Sequence, residues 1–161
     1  MSELTVGTIS GLAANNYVVD VADGSLLTQP GMVLQAQYVN SVYGTSTWTT
    51  SDTTTLYEIT GTSVSITPKS TSSKIIILAT ISCYNDTATR GSIVQLRKDG
   101  ASLTAGYFDS SDANDRGTMS FSWVDEPAST DTISYSIYGR VGGSGVSTFR
   151  DWNVTVMEIA G

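Results

Sequence analysis

The 161-residue sequence contains no histidine. That absence removes Ser-His-Asp and Cys-His catalysis, along with the commonest zinc ligand. Charge is scarce too, at 14% of the chain against roughly 25% in ordinary soluble domains. The 8 lysines and arginines are scattered and outnumbered by 15 aspartates and glutamates, which leaves a net charge of −7. An acidic chain repels a phosphate backbone, so nucleic acid is excluded as a partner. Cysteine occurs once, at Cys83, so no intramolecular disulfide can form. Lying between Ile81 and Tyr84, that thiol reads as a small buried hydrophobe in a strand. The longest apolar run, residues 75–79, is too short to span a membrane. Residues 1–7 offer neither a basic nor an apolar signal region, so synthesis in a cytoplasm is expected.

Serine and threonine fill the space, at about 29% of the chain. Threonine fits a pleated, half-buried surface, and no apolar period of 3.6 residues persists over three turns. The expected fold class is therefore all-β: an antiparallel β-sandwich, jelly-roll-like, with an extended N-terminal arm. Strands are predicted at 33–43, 54–60, 64–67, 74–85, 92–98, 102–108, 118–125, 133–139 and 148–159. Alternation supports several: Ile133, Tyr135 and Ile137 face one way and Ser134 and Ser136 the other. Residues 75–79 are apolar in both registers, which predicts a central strand covered on both sides. Asp99-Gly100 is a tight-hairpin signal, and Pro127 sits between strands, where it costs no ladder hydrogen bond. Residues 45–55, rich in threonine, read as an exposed loop or wide hairpin.

Residues 1–31 form the predicted arm, ending at the Gln29-Pro30-Gly31 turn signal, and residues 32–161 the sandwich. The arm is too thin for its own core. Leu4, Val6, Ile9, Leu12, Val19 and Val21 are expected to pack on the body, on neighbouring subunits or on a larger particle.

Reactive constellations are few. Thr71-Ser-Ser-Lys74 has a hydroxyl three residues before a lysine, but leads into a strand where the corresponding catalytic motif needs a helix. Asp109, Asp112 and Asp115 crowd a hairpin tip and are weak metal candidates, because their spacing does not match a twelve-residue calcium loop. Asp125 and Glu126 are adjacent and would face opposite sides of a strand, unlike a glycosidase pair. The glycine-rich stretch 139–145 reads as a hairpin loop rather than a phosphate cradle, since no helix follows. No catalytic residue and no cofactor is expected, and an enzyme is not. Exposed aromatics are more suggestive: Tyr43, Trp48 and Tyr107 are surface-binding candidates, able to stack on sugars or line an interface.

Several stretches carry a family resemblance: Pro30-Gly-Met-Val-Leu-Gln35, Gly61-Thr-Ser-Val-Ser-Ile-Thr-Pro-Lys-Ser-Thr-Ser-Ser-Lys-Ile-Ile-Ile77, Arg97-Lys-Asp-Gly100, Trp123-Val-Asp-Glu-Pro-Ala-Ser129 and Trp152-Asn-Val-Thr-Val-Met-Glu-Ile-Ala-Gly161. In kind and order they resemble β-sandwich virion surface proteins of marine and cyanobacterial tailed phages, over nearly all of residues 30–161. The resemblance implies a jelly-roll-like homotrimer on a virion surface, made in the host bacterial cytoplasm. Its partners would be the major capsid protein or other virion proteins. The short arm favours a capsid decoration (cement) protein over a reaching fibre. The alternative is a short fibre or tail fibre-tip protein contacting host surface polysaccharide. Met157 and Ile159 face away from Val154 and Val156, so the last strand is expected to be buried on both sides, with Met157 and Ile159 at the trimer interface.

Overall fold

In a computed structural model, which describes residues 30–161, ten strands and no helix make up the body. They are β1 (Val33–Asn40), β2 (Thr47–Thr50), β3 (Tyr57–Glu58), β4 (Val64–Ile66), β5 (Lys74–Asn85), β6 (Gly91–Lys98), β7 (Ala101–Asp109), β8 (Arg116–Asp125), β9 (Ile133–Val141) and β10 (Ser147–Ile159). The first sheet runs β1-β10-β5-β8, with β2 also on β10; the second runs β3-β9-β6-β7, with β4 also on β9. Every pairing is antiparallel. With β3 and β4 taken as one interrupted strand, the orders are those of a jelly roll, the expected fold class.

Period-two patterning decides which side chains fill the space between the sheets. From β5 come Ile75, Ile77, Ala79, Ile81 and Cys83; from β10, Phe149, Val154 and Val156; from β6, Val94 and Leu96; and from β9, Ile133, Tyr135 and Ile137, all buried. Small and large residues interlock where the edge strands β7 and β8 face each other across the sandwich. A Cβ added at Gly117 would lie 2.0 Å from the Phe108 ring, and one at Gly106 would lie 3.1 Å from Met119 and Phe121. Glycine there makes room for an aromatic ring from the opposite sheet.

The long strands match the sequence reading closely, and the departures have local causes. Residues 45–55 contain a strand, β2, because Trp48 can pair with the buried Phe149 on β10. The predicted strand at 54–60 shrinks to β3. The Asp52 carboxylate accepts the Thr54 and Thr55 N–H groups at 2.7 and 2.8 Å, folding that backbone into a turn. The same donors, with the Thr54 and Tyr57 hydroxyls, hold the Asp52 carboxyl down at about 2, against slight opposition from burial.

Two predicted hairpins are crossings instead. The glycine-rich link after β9 and the acidic link after β7 each carry the chain from the second sheet to the first. The true tight hairpin joins β6 to β7 at Asp99 (φ 47°) and Gly100 (φ 81°), the paired left-handed conformations of a type I′ turn.

Strand β5 is central but covered on one side only: Leu78 is 44% exposed. The last strand is likewise buried on one face, with Met157 and Ile159 on the other and only half-buried. The sequence predicts both strands to be covered on both sides; among the described residues no strand packs over the outer face of the first sheet.

Candidate functional site

The carboxylates singled out in the sequence do not converge. Among the described residues, no three Asp, Glu, Cys or His side chains come together as a metal site would require. Asp109 ends β7, and Asp115 is taken up by the Ser111 hydroxyl at 2.8 Å, with its own N–H donating to Asp112 O at 3.2 Å. Asp125 turns inward, where it accepts the Tyr135 hydroxyl at 2.7 Å and pairs with Lys98 at 2.7 Å. Burial and this anionic neighbour push the Tyr135 hydroxyl above its ordinary range. Glu126 turns outward to Lys74 at 2.8 Å. Two adjacent carboxylates thus serve separate ion pairs on opposite sides of the sheet. Cys83 is fully buried, and burial pushes its thiol up to about 12, more than the Ser92 hydroxyl offsets. An unionised, enclosed thiol is a packing element, not a nucleophile.

Buried polar groups gather at the two ends of the sandwich. At one end Asn85 donates to Ser144 O at 3.2 Å and Ser147 Oγ at 3.3 Å, while Ser92 donates to Ser147 at 2.9 Å. At the other lies Glu158, with no exposed surface. Its carboxylate accepts the Gln35 amide at 2.6 Å and the Lys69 N–H at 2.6 Å. Burial alone would raise its pKa. The Ser73 hydroxyl, Gln35 and the Lys69 and Ser70 N–H groups outweigh burial and hold it below the usual carboxylate value. Glu158 thereby ties the β4–β5 connection to β1 and β10. Its alternation with Val154 and Val156 placed it on the inner face, a signal the sequence reading passed over.

The outer face of the first sheet is different in kind. Ile76 stands opposite Met157 on one side and Val124 on the other, and Ile159 lies opposite Lys74. Tyr38 (68% exposed), Leu78 and Val124 (54%) complete an open apolar surface running over all four strands. Met157 and Ile159 belong to it as expected. Ile76, Leu78, Val124 and Tyr38 were missed as its partners, although residues 75–79 being apolar in both registers pointed to them.

The three aromatic candidates occupy separate places. Trp48 turns inward, its ring 5.6 Å from that of Phe149 and packed against the core, so it is not a free binding platform. Tyr107 lies flat on the outer face of the second sheet, its ring seated over Gly91 and Gly142 and its hydroxyl donating to Gly142 O at 3.2 Å. Tyr43 is 85% exposed in the turn after β1 and borders a shallow groove with Asn40, Ser41, Asp151 and Asn153. The arm residues Leu4, Val6, Ile9, Leu12, Val19 and Val21 lie outside the described residues.

No family model matches the sequence, and no curated protein does. Among solved structures the chain is similar to dimeric latent PorU from Porphyromonas gingivalis, at 12% identity over 89% of this chain and 14% of that one, with a TM-score of 0.46. It is also similar to the structure of the infectious bursal disease virus Gx strain, at 11% identity over 89% of this chain and 41% of that one, with a TM-score of 0.45. The chain spans less than half the length of either.

Proposed function

We propose that this protein is a structural component of a tailed-phage virion, a homotrimeric decoration protein that seats on the outer shell and stabilises it, and not an enzyme. The observation that best supports the reading is a jelly roll in which Glu158, Asp125 and Cys83 are taken up inside, while Ile76, Leu78, Val124, Met157 and Ile159 form an apolar group on the outer face of the first sheet that no described strand covers. A catalytic body needs convergent polar groups in a cleft; an assembly body needs an uncovered flat face. The resemblance of residues 30–161 to virion surface proteins points the same way. The test is addition of the purified protein to undecorated capsids, followed by co-sedimentation and capsid melting. Saturable binding with a raised melting temperature is the expected result. Failure to co-sediment under any ionic condition would refute it.

A second reading, a short fibre or fibre-tip protein contacting host polysaccharide, rests on Tyr43, an exposed ring beside the amides of Asn40 and Asn153. In that case virions lacking the protein lose host attachment and keep their resistance to heat.

A further inference from the structure

Strand β10 changes partner part-way along. Its residues 153–159 pair with β1 and its residues 147–150 with β2, so Asp151 and Trp152 fall between the two partners. The pairing with β5 is bulged at the same place, and Asp151 takes a left-handed backbone (φ 52°) that re-aims its side chain. Trp152 turns inward, its Nε1 donating to Gly61 O at 3.0 Å. The turn between β1 and β2 carries Tyr43, an open ring. A groove of about 240 Å³ lies between Asn40, Ser41, Tyr43, Asp151, Trp152 and Asn153.

The polar groups here are not committed to the fold. Asp151 Oδ1 and Ser41 Oγ are enclosed with no hydrogen-bond partner among the described residues. Arg150 Nε has none either, and lies 3.4 Å from Asp151 Oδ2. Buried polar atoms are nearly always paired, so unpaired ones gathered at one bulge mark a place shaped by something other than stability. A rotation of the carboxylate brings an unpaired oxygen to the groove without breaking a hydrogen bond. The Thr155 hydroxyl donates to Asn153 Oδ1 at 3.0 Å, which leaves the Asn153 NH2 to donate elsewhere.

We infer that this groove binds a ring of a neutral saccharide, stacked on Tyr43 and held through its hydroxyls by Asp151 and the amides of Asn40 and Asn153. The inference rests on the glycan-contacting second reading above and names the groups that hold the sugar. Chemistry selects the ligand. Each sugar hydroxyl both donates and accepts, as a carboxylate, a serine hydroxyl and two amides together require, and the C–H face of the ring suits an aromatic face. A metal ion would find one carboxylate in place of a cluster. A peptide strand needs unpaired backbone, whereas the groove's two strands are paired with each other at Asn40 and Asn153. An anionic ligand meets Asp151 on a chain of net charge −7, with Arg150 already beside that carboxylate.

Ligand-observed NMR and isothermal titration on the full chain test the inference. The probes are the methyl glycosides of glucose, galactose, mannose and N-acetylglucosamine, with methyl glucuronide as the anionic control. At least one neutral glycoside is expected to bind saturably, with Kd on the order of 1 mM for a single ring. Tyr43→Ala and Asp151→Asn should each weaken it about 10-fold, by removing the stacking face and the charged acceptor. Tyr57→Ala, which removes an exposed ring on the second sheet, should leave it unchanged. Tyr43 is exposed and asparagine tolerates a left-handed backbone, so both groove variants keep the fold, which circular dichroism and melting verify. The glucuronide should bind more weakly than the glucoside, and the gap should narrow in Asp151→Asn, a change that a merely structural role for Asp151 would not produce. Binding of none of the four neutral glycosides would overturn the inference, as would binding that both groove variants leave unchanged or that Tyr57→Ala abolishes. Adsorption of virions lacking the protein judges the fibre reading separately: normal attachment refutes that reading and leaves the measured sugar binding standing.

Discussion

Glu158→Gln is the sharpest test of how the closed end of the sandwich is held. The carboxylate of this fully buried residue accepts two short bonds, from the Gln35 amide and the Lys69 N–H, both at 2.6 Å. A glutamine keeps the shape but turns one acceptor into a donor. One of the two contacts then sets donor against donor, and the other loses its charge. One charge-assisted bond is worth about 1.5–3 kcal/mol, and a neutral replacement about 1. The expected destabilisation at pH 7 is therefore about 2–4 kcal/mol, or roughly 5–15 °C in Tm for a chain of this size. The pH dependence fixes the mechanism. Glu158 has a folded pKa below its ordinary value of 4.5. Its contribution is fully present above that value and is lost as pH falls through the folded pKa. Urea unfolding of both proteins at neutral pH and near pH 3 should show the gap between them closing in acid, since every other carboxylate is common to both. A gap unchanged by pH, or a variant as stable as the wild type at pH 7, refutes the reasoning.

Two further outcomes follow from packing. Cys83, buried with its thiol pushed up to about 12, should resist a thiol reagent at pH 8 in the native protein and react within seconds in urea; rapid native labelling would contradict its burial. Gly117→Ala places a Cβ where the Phe108 ring lies and should cost about 1–3 kcal/mol by overpacking, partly recovered in the double variant with Phe108→Leu, measured by chemical unfolding.

The β architecture was legible because alternation in β5, β9 and β10 is strong, and the Asp99-Gly100 turn leaves few options. Sheet membership was not. A glycine-rich link and an acidic link look the same in sequence whether they close a hairpin or cross between sheets, and here both cross. Trp48 misled for a related reason: its polar neighbours Thr47 and Thr49 suggested a loop, while its partner Phe149 lies a hundred residues away. The apolar face was half legible. Met157 and Ile159 showed themselves by alternation, but their neighbours on β1, β5 and β8 became visible only through the strand register. Reading residues 75–79 as doubly covered mistook a property of the sequence for one of the single chain.

The strand order also sets a timetable. β10, the last strand of the body to be made, lies between β1, the first, and β5, and β9 lies inside the second sheet in the same way. While the chain emerges from the ribosome, β6–β7 is the one pairing among the described strands whose partners are neighbours in sequence. Neither sheet can close until β9 and β10 have left the exit tunnel. The β1–β10, β5–β10 and β6–β9 pairings therefore wait for the last two strands of the body, whereas β5 and β8, which pair with each other, are both made before them.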